Sequence, residues 1–130
     1  MGRSKLSKFS KAGFMEQLIC HLVGDYVLQT NWMVRHKHEK ISVAAVHALT
    51  YVLPFMLITR SAPALAIIFV THTLIDHFRL ARHLIRLRNW CWTDNGFPEE
   101  TPSHIAQAVS IVVDNTLHLL INFLAIRYFG

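Results

Sequence analysis

The chain has 130 residues, 52% of them hydrophobic and only 16% charged, which allows one domain and excludes disorder, collagen and a long coiled coil. A net charge of +5 on so apolar a chain suits an anionic membrane surface, and a nucleic-acid duplex is not an expected partner. Cys20 and Cys91 form neither a disulfide framework nor a CxxC pair.

A basic segment over residues 1–13, with Arg3, Lys5, Lys8 and Lys11, precedes the first apolar run. That run contains Glu16, His21 and Asp25 and lacks a small-residue cleavage site, so it reads as a retained helix and not as a signal peptide. The apolar segments are Phe14 to Thr30, Ile41 to Ile58, Ala62 to Leu80 with a basic helical extension to Asn89, and His104 to Tyr128. Each is about long enough to cross a bilayer at about 1.5 Å per residue. Thr30-Asn31 opens a basic loop, Thr59 to Pro63 makes a turn, and a polar loop over 90–102 precedes the last helix, which Thr101 or Ser103 can cap. The alternation of strands is missing throughout, so the predicted class is all-α: a single four-helix transmembrane bundle over residues 1–130, with a metal site in its core. Up-down-up-down topology places Trp32, Trp90 and Trp92 on one side, as in a membrane-interface belt. The basic residues divide six against seven between the two sides, which leaves the orientation open.

The acids carry the chemistry. Three of the four aspartates lie four residues from a histidine: His21 with Asp25, His72 with Asp76, and Asp114 with His118. With nine histidines in the chain, such a set arises by chance about once in a hundred sequences. Spacing of four puts both members on one helix face, and each pair sits in an apolar run where an ionisable group costs several kcal/mol unless paired, protonated or metal-bound. Three intrahelical His–Asp hydrogen bonds would satisfy the pairs, but imidazole and carboxylate together suit zinc, manganese or iron, and an ion offsets the aspartate charge. His47, alone in the second segment, falls at the same depth and joins the predicted ligands His21, Asp25, His72, Asp76, Asp114 and His118. Four imidazoles and three carboxylates are enough for two ions with a bridging aspartate. Gln29, Ser110 and Asn122 extend the same faces, and Arg79, three residues past Asp76, has the planar fork that binds phosphate. The other histidines, His36, His38, His77, His83 and His104, sit in or beside basic loops and read as solvated.

These residues point to a membrane-embedded metal-dependent hydrolase of a phosphoester in a lipid or nucleotide-like substrate, with Asp76, Asp114 and Arg79 as its catalytic residues. The alternative is a non-enzymatic membrane protein with a structural or ion-binding metal site and a basic partner-binding face. A di-iron oxidase would use glutamates and ExxH spacing, and an HD phosphohydrolase needs adjacent His-Asp where this chain has only Asp76-His77.

The strings HLVGDYVLQTNWM at His21 to Met33, HALTYVLPF from His47, THTLIDHFRLAR at Thr71 to Arg82 and VDNTLHLLIN at Val113 to Asn122 resemble a family of small bacterial and phage membrane proteins catalogued as a domain of unknown function. That resemblance implies the bacterial inner membrane and brings no activity with it. More loosely, the layout is similar to YdjM-type membrane-bound metal-dependent hydrolases and to the zinc phospholipase C and P1 nuclease group. Those proteins hold metal clusters with His and Asp on packed helices, including HxxxD pairs. This chain shows neither a glutamate ligand nor an N-terminal Trp ligand to complete the match.

Overall fold

The computed structural model describes residues 11–130, with side chains from Gly13 onward; Arg3, Lys5 and Lys8 of the basic segment lie outside the described residues. Helix α1 (Lys11–Leu22) runs directly into a π-turn, Val23–Val27, closed by Leu28 N–H donating to the Val23 carbonyl at 3.0 Å. Thr30 caps α2 (Asn31–His36), its hydroxyl accepting from Met33 N–H at 3.3 Å. Helix α3 (Ile41–Phe55) keeps Pro54 in its last turn, and α4 (Ala62–His77) starts from a Ser61 cap with Pro63 in the first turn, where a missing N–H costs nothing. Helices α5 (Leu80–Asn89) and α6 (Ser103–Phe129) complete the chain. All regular structure among the described residues is helical, as the apolar periodicity predicts.

Four features depart from the sequence reading. The basic loop after Thr30 contains the short helix α2. The helical extension to Asn89 does not continue α4: Arg79 takes the left-handed conformation (φ 51°, ψ 51°) and α5 leaves at 63° to α4. Pro102, not Thr101 or Ser103, stands at the N-cap of α6, with no side-chain cap. Most consequentially, of the four predicted spans only α6 is by itself long and apolar enough to cross a membrane; α4 and α5 reach that length only jointly across their bend, α3 has 15 residues, and a π-turn follows α1 after 12.

Helix α3 packs most extensively on α4, α4 on α6, and α1 with its π-turn against α3 and α6, while α5 lies along α6. One apolar cluster, Cys20, Tyr51, Val52, Phe55, Ile68 and Ala125, fills one end of the bundle. A second, Ile85, Phe97 and Ala106, joins α5 and the 90–102 loop to the start of α6. Among the described residues no leucine is buried, and Leu57 is 89% exposed, whereas Ala44, Ala48, Ala64 and Ala125 pack inside. The core thus combines large apolar residues such as Phe55, Ile68 and Ile85 with small and polar side chains, while Leu18, Leu65, Leu117 and Leu119 are half-buried and the other described leucines are exposed.

Gly24 in the π-turn lies against Tyr51, and a Cβ placed there would stand 2.5 Å from the ring carbon Cδ2. The ring is fully buried and has nowhere to retreat. Gly24→Ala is therefore expected to destabilise the protein by about 1–3 kcal/mol, the usual cost of overpacking. Gly13→Ala, half-buried but with no described atom within 4 Å of the added Cβ, is expected to be neutral or mildly stabilising, as alanine has the higher helix propensity. Thermal unfolding of both variants in detergent, read as Tm, checks this; equal melting points would remove the close approach as a constraint.

Candidate metal centre

Between the two apolar clusters the helices bring their polar residues to one level. Asp25 comes from the π-turn, His47 from α3, His72 and Asp76 from α4, and Asp114 and His118 from α6. The π-turn's extra residue per turn re-aims Asp25 toward α3, so His47 Nε2 lies 3.2 Å from Asp25 Oδ1 and only 3.7 Å separates Asp25 Oδ2 from His21 Nδ1. His72 Nε2 lies 3.0 Å from His47 Nε2, 3.4 Å from Asp25 Oδ1 and 3.3 Å from Asp76 Oδ2. On the far side of Asp76, Oδ1 is 3.1 Å from His118 Nε2, which in turn is 3.6 Å from Asp114 Oδ2.

These separations test the metal reading. Ligand atoms about 2.0–2.2 Å from one ion, at tetrahedral or octahedral angles, stand about 2.9–3.5 Å apart. The contacts among Asp25, His47, His72 and Asp76, and that of Asp76 with His118, fall in that range at 3.0–3.4 Å, and three groups each bring their ligand atoms within 4.8 Å of one another: Asp25–His72–His118, His47–His72–Asp76, and Asp76–Asp114–His118. Carboxylates only accept, and two imidazole Nε2 atoms facing each other cannot both donate, so a cation at their meeting point is the complement the donor set asks for. All the polar contacts of the His47 and His72 rings run through Nε2 into the cluster, and among the described residues their Nδ1 atoms have no hydrogen-bond partner. The buried His and Asp groups can hold a metal ion.

His21 lies against the cluster but is engaged differently. Its Nε2–H donates to Asn115 Oδ1 at 2.8 Å, which leaves Nδ1 to accept from the Tyr51 hydroxyl at 2.7 Å. Asn122 Nδ2 donates to that same hydroxyl at 2.6 Å, and Asn115 Nδ2 donates to the Tyr26 hydroxyl at 2.7 Å. Both ring nitrogens of His21 are thus committed within a neutral network. The Tyr51 ring stacks on His72, with centroids 3.7 Å apart at 21°, and so sets the plane of an imidazole facing the centre.

Lys37 is the contact that sequence reasoning missed. Its Nζ lies 2.9 Å from Asp76 Oδ2, 39 positions away in the chain, and no local spacing signals such a pair. His38 and His77, read as solvated, are instead pinned: His38 Nδ1–H donates to the Asp76 carbonyl at 2.7 Å and His77 Nδ1–H to the Lys37 carbonyl at 3.0 Å. Burial holds the His38 imidazole below its ordinary range, which suits a neutral ring in that role. Tyr51 had a legible signal, since it stands four residues past His47 and shares its face.

The three carboxylates of the layer, Asp25, Asp76 and Asp114, line a cavity of about 560 Å³ together with Lys37, Arg79 and Arg82. Gln29 and Ser110 also line it, whereas Gln29 Nε2 is turned to the Asp25 carbonyl and Ser110 to that of Ala106. Arg79, exposed at the α4–α5 bend, reaches the cavity and makes no ion pair with Asp76. Asp76→Asn is expected to lose most bound metal, because it removes the charge from the carboxylate shared by two of the three groups. His104→Ala, exposed at the start of α6, is expected to keep it. Elemental analysis of both purified proteins decides the point, and equal metal content would place the ion elsewhere.

Comparison with curated proteins and with solved structures finds no match to this chain. One family profile matches residues 14–129, which takes in every residue of the polar layer and all six helices save the first turn of α1. The chain belongs to that family, DUF3307, described as proteins of unknown function.

Proposed function

We propose that the protein is a membrane-embedded, metal-dependent hydrolase of the bacterial inner membrane, acting on a phosphoester of an anionic lipid or nucleotide-like substrate. The observation that carries this reading is that three carboxylates of the buried His and Asp layer, Asp25, Asp76 and Asp114, line a cavity that also has cationic side chains on its walls. A purely structural metal staple needs closed coordination and no such cavity, and this favours chemistry over a non-enzymatic ion site. The outward-facing leucines and the span-length α6 support a lipid setting, with α3 and the bent α4–α5 pair completing the bundle within the membrane.

Asp76, Asp114 and His118 would hold the ion, with His47, His72 and Asp25 beside them in the same layer, and this mixed donor set suits zinc first, then manganese or iron. When bound, the ion supplies Lewis-acid chemistry: a water of lowered pKa and neutralisation of charge on phosphoryl oxygens. The protein's own groups do the rest. Asp114, the least buried of the three carboxylates, faces the cavity and takes a proton from water as its oxygen bonds to phosphorus. The ester P–O bond breaks and the leaving oxygen receives the proton. Arg79 meets the phosphate with a bidentate guanidinium.

Arg79→Asn removes that fork while keeping a residue that tolerates the left-handed backbone. It is expected to lower turnover of phosphatidic acid vesicles or of p-nitrophenyl phosphate about 10- to 100-fold, the worth of one charge-assisted bond, with metal content unchanged. Arg88→Ala, away from this cavity, is expected to stay near wild type. Turnover and metal content measured on the same samples test this; full activity, or loss of metal, in the Arg79 variant would remove the guanidinium from substrate capture.

A further inference from the structure

We infer that Lys37 is a built-in cation of the polar layer, occupying the His47–His72–Asp76 group and limiting the centre to one divalent ion where the ligand count alone would admit two. This rests on the metal-binding reading above and specifies its stoichiometry.

The ammonium is placed by the fold. Lys37 is only 12% exposed in its side chain, and its backbone is held to the end of α4 on both sides. His77 Nδ1–H donates to the Lys37 carbonyl, and His38 Nδ1–H donates to the Asp76 carbonyl, so residues 37–38 are laced to residues 76–77. With the backbone pinned there, Nζ reaches Asp76 Oδ2 at 2.9 Å. That oxygen is the one lying 3.3 Å from both His47 Nε2 and His72 Nε2. A cation added at this group would share the oxygen with an ammonium already on it, and two cations within contact distance of one carboxylate oxygen repel each other.

The charges give the same count. Asp25, Asp76 and Asp114 bring three negative charges and Lys37 one positive, which leaves two to be met by one divalent ion. A second ion would leave the layer with a surplus of two positive charges among buried imidazoles. One ion falls to Asp76, Asp114 and His118, whose ligand atoms lie within 4.8 Å of one another and which use the other Asp76 oxygen, 3.1 Å from His118 Nε2. Lys37 then serves as a fixed charge in place of the second ion that the abundance of ligands suggests.

The test is a cobalt(II) titration of chelator-stripped, full-length protein in detergent, followed by the visible absorbance of the bound ion to its end point. Wild type is expected to saturate at one equivalent per chain, Lys37→Met at two, and Lys37→Arg, which keeps the charge, at one. Two equivalents in wild type, or one in a Lys37→Met variant that elutes as wild type does on size exclusion, would overturn the inference. Should Lys37→Met not fold, the wild-type and Lys37→Arg end points still decide, since a second equivalent in either is incompatible with a resident cation. A wild-type protein that binds no cobalt would instead overturn the metal reading beneath it, so the two failures are distinct.

Discussion

A carboxylate with 3% of its surface exposed, in a bundle whose outer faces are leucine, valine and phenylalanine, costs several kcal/mol unless its charge is met, and Asp76 is met from several sides. His72 comes from its own helix, His47 from α3, His118 from α6, and Lys37 from the turn that follows α2. Each partner belongs to a different element, so the requirement to satisfy this one side chain fixes how α3, α4 and α6 meet and draws the α2 segment over the end of α4. The apolar clusters on either side then fill the space that this polar layer leaves.

The packing around it follows from the same constraint. Helices that must bring imidazoles and carboxylates within hydrogen-bond distance need close backbone approach, and the buried alanines Ala44, Ala48, Ala64 and Ala125 permit it where larger side chains would hold the helices apart. Gly24 is the extreme case, since the Tyr51 ring occupies the space a side chain would take. Tyr51 in turn links structure to chemistry, holding the ring plane of His72 by stacking while its hydroxyl ties His21 and Asn122 into a network beside the centre.

The basic residues divide by role. Arg82 and Arg86 turn back on the loop before α6, Arg82 pairing with Asp94 and Arg86 donating to the carbonyls of Thr93 and Asp94, so part of the positive charge of α5 serves to fasten that loop. Lys37 is consumed by Asp76. Arg79 remains at the cavity because the chain bends there: its left-handed conformation ends α4 and turns α5 by 63° onto α6 instead of onward. Arg79 and Trp90, at the two ends of α5, both take this left-handed conformation, which few non-glycine residues adopt.

How much of this was legible depended on the range over which each feature is encoded. The helices α3, α4 and α6, and the pairs His21/Asp25, His72/Asp76 and Asp114/His118, are written in local spacing, because a helix turns every 3.6 residues and places i and i+4 on one face whatever surrounds it. The sequence by itself therefore determined an all-helical chain and named the histidines and aspartates of the polar layer. Three things lay beyond it. The π-turn at Val23–Val27 and the break at Arg79 shorten the spans, and both arise where packing overrides an apolar pattern that reads as continuous. The engagement of His21 by Tyr51 and Asn115 joins residues 30 and 94 positions apart. The seat of Lys37 on Asp76 joins residues 39 apart. Only the tertiary structure decides such contacts, because helical periodicity says which side chains share a face and nothing about which face of another helix, or which loop, comes to meet them.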